Sequence, residues 1–352
     1  MKFVHRFISA SILCLTLFSS CLMAQPRYEF LKKTIIGGEG GWDYLMIDNP
    51  SRHLFIAHAT QVDVYDLDHD SVIAHIRHTE GVHGVAIGQR SRRGFISCGR
   101  SNSVLMFDVK TLDTLGRITV GEKPDAIIYD PTTNRILVMN GKSEDISILD
   151  EFTGSVVTTI KLPGGPEFAV ADGQGHVFVN LEDESKVVKI DTHADTIMTV
   201  WPLAPGEHPT GIAMDQRANQ LYIGCGNEKM IVMSGSTGEI YATLPIGKGV
   251  DAVAFDPGGN PSYAFSSNGD GTVTIIHGEA PVHKLKKPKF EVVQTLKTQR
   301  GARTIALDPR THNIYLATAE FGSVPAATAE NPHPRPGILP GTFSVLKYGL
   351  VK

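Results

Sequence analysis

With 41% hydrophobic and 20% charged residues over 352 positions, the chain is too apolar for intrinsic disorder. Its net charge of −4 supplies no basic footprint for nucleic acid. After the first two dozen residues no apolar run is long enough to span a bilayer, and the 35 Gly and 20 Pro fall at regular intervals that call for many turns.

Residues 1–24 read as a signal peptide: MKFVHR is a basic n-region and FISASILCLTLFSS an apolar h-region. Cleavage after Ala24 is one exit. The other is a bacterial lipobox, Phe18-Ser19-Ser20-Cys21, which would place a lipid anchor on Cys21. Either exit implies a periplasmic or secreted protein. Cys98 and Cys225 then remain, at equivalent places in different repeats, and are expected to be free, buried thiols rather than a disulfide.

Next comes an isolated apolar run, YEFLKKTII at 28–36, followed by GGEGG at 37–41. The glycines read as a turn, not a phosphate cradle, because no helix follows them. From Asp43 onward one unit repeats. Its first apolar run begins at Asp43, His83, Asp125, Glu167, Thr210, Asp251 and Arg303, at steps of 40 to 43 residues with a longer last interval. Each unit holds four short β-branched and aromatic runs bounded by Gly, Pro, Asn or Asp, which predict strands. A D-P step such as Asp130-Pro131 turns the chain between the first and second strands. Several runs barely alternate, as expected of strands covered on both faces.

Seven four-stranded units with this period predict an all-β fold, a seven-bladed β-propeller occupying residues 28–352 as one domain. The seventh unit stops after its third strand near Tyr348. The isolated run at 28–36 supplies the missing strand, so the N-terminal strand closes the last blade. Two segments depart from the repeat. HGEAPVHKLKKPKF (277–290) reads as a solvated basic loop. GSVPAATAENPHPRPGILPG (322–341) reads as a proline-stiffened insertion, either a flap over the channel mouth or a loop packed outside.

The copies ILVMNGKSEDISILDEFTGSVVTTI (136–160) and VFVNLEDESKVVKIDTHADTIMTV (177–200) resemble the YVTN-type β-propeller repeat of the bacterial YncE-like family. The resemblance covers nearly all of 28–349. It implies a propeller, usually exported, and says little about activity. His58, Cys98 and Cys225 stand where that repeat has Asn.

In a propeller, the residues leading into strand one and those just after strand two share one rim. The predicted ligand-binding rim is therefore Asp43, His83, Asp125, Glu167, Asp251 and Arg303, with Thr210 the one neutral member, together with His58, Asn140, Asn180, Asn268 and Glu320. Charge beside a channel is not needed for packing, since a confined charge must find partners. Asp125 and Asp251 also suit simple turn-capping roles. Arg303 reads as a counter-ion among the acids or as a clamp for a ligand carboxylate. The excess acids with His58 and His83 would suit Ca2+ or another divalent cation, although no closely spaced metal motif is present.

No nucleophile elbow, P-loop or haem motif occurs. Two functions follow. The first is an exported binding protein for a partner protein, a polysaccharide or a small polar ligand. The second is a metal-assisted hydrolase of lactone type, with His83, Glu167 and Arg303 as candidate catalytic residues.

Overall fold

The computed structural model describes residues 27–258, 262–279, 288–328, 332 and 334–351. The signal-peptide reading of 1–24 and most of the basic loop, 280–287, lie outside the described residues. Seven four-stranded antiparallel sheets are present, six of them built from consecutive strands. Blade 1, for example, runs Trp42–Asp48, His53–His58, Gln61–Asp66 and Ser71–Arg77. The inner strands of the blades are Trp42–Asp48, Val82–Gly88, Pro124–Asp130, Pro166–Ala171, Pro209–Asp215, Val250–Asp256 and Ile305–Asp308. The fold is thus the seven-bladed propeller that the period predicts.

Burial follows position in the blade. Second strands such as His53–His58 are buried along almost their whole length, because a neighbouring blade covers each face. Fourth strands such as Ser71–Arg77 alternate between exposed and covered positions, the period-two pattern of a half-solvated edge. Cys98 and Cys225 are free and buried, and their Sγ atoms face equivalent carbonyls, Ile96 O and Ile223 O.

The last blade has the order Arg27–Ile35, Ser344–Val351, Asn313–Thr318, Ile305–Asp308, so the N-terminal strand is its outer strand. The register runs from Arg27 opposite Val351 to Ile35 opposite Ser344, with a bulge between Phe30 and Lys32. Tyr28 is the anchor. It is 2% exposed, lies edge-on to Phe265 at 5.0 Å, and its hydroxyl donates to His312 O at 3.0 Å. Gln294 of blade 6 meets the Tyr28 backbone twice, accepting from its N–H at 2.9 Å and donating to its C=O at 2.8 Å.

The turns between first and second strands lie on one face. At the D-P step, Asp130 Oδ1 accepts from Thr132 N and Oδ2 from the Thr133 hydroxyl, and Asn134 closes the turn at φ 56°. The same face carries inter-blade clasps that the sequence reading did not foresee. Arg92 of blade 2 grips Asp48 of blade 1 at 3.0 and 2.6 Å. Arg52 of blade 1 grips Asp308 of blade 7 at 2.9 and 2.7 Å. His312 of blade 7 meets Asp256 of blade 6 at 2.8 Å. These carboxylates are buried, and the planar guanidinium fork satisfies both oxygens of Asp48 and of Asp308.

The proline-rich insertion is pinned at its base. Phe321 bridges Ile338, Gly322 N donates to Gly337 O at 2.9 Å, and Leu339 N donates to Glu320 O at 2.8 Å. Phe321 packs on Trp42 with ring centroids 6.1 Å apart. No described helix is long and apolar enough to cross a membrane.

Candidate functional site at the channel mouth

Six of the seven inner strands share a local irregularity. The pairing of first and second strands slips between Trp42 and Leu45, Val82 and Val85, Pro124 and Ile127, Pro166 and Ala169, Pro209 and Ile212, and Val250 and Ala252. Each slip spans the residue that the repeat places at the mouth. A bulge re-aims the side chain it carries. Asp43, His83, Asp125, Glu167 and Asp251 all sit on such bulges.

The structure brings these side chains together. His83 Nδ1 lies 2.6 Å from Asp43 Oδ2 and 3.4 Å from Asp125 Oδ1, linking blades 1, 2 and 3. Tyr44 donates from its hydroxyl to Glu167 Oε1 at 3.4 Å. Arg303 Nε lies 2.8 Å from Asp251 Oδ2, and its Nη2 reaches Trp42 O at 3.5 Å. Arg303 therefore serves as a counter-ion tying blade 7 to its two neighbours. Thr210 turns inward instead, donating to Val250 O at 3.0 Å.

The second half of the expected rim lies elsewhere. His58, Asn140, Asn180 and Asn268 are at most 2% exposed, and their side-chain hydrogen bonds run within a blade or to the next one. Asn140 Nδ2 donates to Asp145 and Ser147, and Asn268 Nδ2 to Thr272 and Thr274. Asn180 donates to Thr210 O of the next blade, and His58 pairs with the buried Asp63. These residues end the second strand with the side chain turned toward strand three or the adjacent blade, so they hold the sheets rather than line the mouth. Glu320 is exposed and pairs with Lys33 of the N-terminal strand at 3.3 Å.

Acids outnumber bases at the mouth, and their titration reflects it. Burial pushes the Glu167 carboxyl up to about 9, with the charges of Asp125 and Glu182 adding to the effect. Burial also lifts Asp251 to about 6, although Arg303 pulls the other way. Asp125 rises for the same reason, partly offset by His83. Burial draws the His83 imidazole down, but its hydrogen bond to Asp43 and the charge of Asp125 outweigh that and hold it above the ordinary range.

Glu167 yields a direct expectation. Between its ordinary value near 4.5 and about 9, the folded chain holds a proton that the unfolded chain has released. Folding stability therefore falls as pH rises through that window. Glu167→Gln should remove this cost. Its melting temperature should match the parent near pH 5 and exceed it by several degrees at pH 8, roughly 3–6 °C. A gain of equal size at both pH values would show that packing, not ionisation, is responsible.

Below the mouth, sequence reasoning missed a partition. Tyr44 of blade 1 and Phe168 of blade 4 meet with ring centroids 4.7 Å apart. The aligned positions in the other blades are Gly84, Ala126, Gly211, Ala252 and Thr304, small enough to let two large rings reach across the bore. Beyond the pair lies an apolar chamber of about 510 Å³, lined among others by Met46, Ala86, Ile128 and Val170 and opening toward the D-P turns near Gln89, Pro131 and Gln216. The pattern of two aromatics among small residues was visible in the aligned repeats.

No protein-family model and no curated protein matches the chain. Among solved structures it is similar to a chain of hydrazine synthase from Kuenenia stuttgartiensis, with a TM-score of 0.68 and 14% sequence identity over 82% of this chain and 96% of that one. At that identity the likeness establishes the propeller fold and nothing about chemistry.

Proposed function

We propose that this chain is an exported β-propeller of the YVTN type that binds a positively charged ligand at the acidic mouth of its channel. Export rests on the basic and apolar segments of residues 1–24, and the repeat type on the segments at 136–160 and 177–200. One observation carries the binding reading. Asp43, Asp125, Glu167 and Asp251 converge on one opening, where His83 and Arg303 answer them and Lys123 stays 3.9 Å from Asp125 with its side chain 59% exposed. A group bringing positive charge relieves that excess, and the confined site strengthens the attraction.

Spermidine is a suitable probe. Calorimetric titration at pH 8 and low ionic strength should show saturable binding that weakens with salt. It should also release protons, read from heats in two buffers, because Glu167 is still protonated there. The double variant Glu167→Gln, Asp251→Asn should lose most of the affinity. Absence of binding, or binding indifferent to that variant, would remove the organic-cation form of the reading. The lactone-type hydrolase is the second reading, favoured by the carboxylate-held imidazole of Asp43 and His83. It requires turnover of a lactone that His83→Gln abolishes without lowering the melting temperature.

A further inference from the structure

We propose that Asp43, His83 and Asp125 form a binding site for a first-row divalent transition-metal ion of the Zn2+ class, which supplies positive charge at the mouth. The inference rests on the reading of the mouth as a cation site and names its occupant.

Geometry is the first argument. Each of the three residues offers one donor atom, and the three atoms lie within 4.8 Å of one another. A tetrahedral ion with ligand bonds of about 2.1 Å keeps its donors roughly 3.4 Å apart. His83 Nδ1 and Asp125 Oδ1 already stand at 3.4 Å and Nδ1 and Asp43 Oδ2 at 2.6 Å, so these two edges need shifts below 1 Å, and the third edge is at most 4.8 Å. Three ligands leave a fourth position for an incoming group.

The state of Asp125 is a second and independent argument. Its residue is 7% exposed, yet its carboxylate accepts no hydrogen bond from any described residue. Its nearest cations stand off at 3.4 Å (His83) and 3.9 Å (Lys123). An ion in the triangle would give this largely buried carboxylate a short partner in place of two long ones.

The orientation of His83 is the third. A Cβ at Gly99 would stand 2.8 Å from His83 Nε2, so the ring packs against a bare Cα. That packing turns Nδ1 toward both carboxylates. One imidazole with two carboxylates suits Zn2+, Co2+ or Mn2+ better than Ca2+, which prefers six or more oxygens.

The test uses the full mature chain freed of metal with a chelator. Zn2+ titration should give one tight site per chain. His83→Gln and Asp125→Asn should each weaken it at least about tenfold, while His69→Gln, an exposed histidine on the outer edge of blade 1, should leave it unchanged. Cu2+ bound to the parent should show electron-spin coupling to a single imidazole nitrogen, a readout that survives if either variant folds poorly. Loss of the tight site in His69→Gln, or its retention in His83→Gln, overturns the inference. Spermidine binding with no tight Zn2+ site also overturns it and leaves the mouth reading intact. A tight Zn2+ site sensitive to His83, without spermidine binding, supports the metal and removes the organic-cation reading.

Discussion

Deleting residues 27–35 should lower the melting temperature by about 10 °C or more. The N-terminal strand is the outer edge of the last blade, and its removal strips one of the two hydrogen-bonding partners from Ser344–Val351. It also empties the pocket that Tyr28 fills beside Phe265, and frees Gln294 of blade 6 from its two backbone bonds. Phe30 and Ile35 are 56% and 68% exposed, so the strand's outward face contributes little. Tyr28→Ala alone should therefore account for much of the loss, about 3–5 kcal/mol, as expected for emptying a buried aromatic site. Thermal melts of both proteins decide the matter. A truncated chain that melts with the parent would show that the ring holds without this closure.

Arg52→Ala should be nearly as damaging, at about 3–5 kcal/mol, because it strands a carboxylate inside the protein. Asp308 has 0% side-chain exposure, and Arg52 answers both of its oxygens. Burial alone would raise the Asp308 carboxyl, but the Arg52 hydrogen bonds prevail and hold it below its ordinary value of 3.8. The clasp thus contributes fully above that value and fades as pH falls through the lowered one. Denaturant unfolding at pH 7 should show the loss, and the double variant Arg52→Ala, Asp308→Asn should recover part of it, since the stranded charge is gone. No recovery in the double variant would assign the cost to lost packing of the Arg52 stem.

The ring was legible because each copy of the repeat restates the same strand pattern, and because YEFLKKTII had no other place to go. The acidic half of the mouth was legible for the same reason: six ionisable residues recur at the start of strand one. The other half was not. Side-chain direction at the end of strand two depends on register against strand three, and Asn140 and Asn268 turn into the blade to bond Ser147 and Thr274. The clasps were hidden differently. Arg52, Arg92 and His312 occupy turn positions with φ near 60°, a place that by sequence alone suits Asn or Gly. Only the neighbouring blade, which brings Asp308, Asp48 and Asp256 within reach, explains basic residues there.

The direction of the closing strand fixes on which face of the ring the chain enters it. Arg27 lies at the end of that strand near the D-P turns, as the Tyr28 bond to His312 O shows, and the chain reaches the side of Trp42 and Asp43 only after Ile35. The first described residue and the acidic opening thus lie on opposite faces of the ring, so a group attached at Arg27 leaves the channel mouth uncovered.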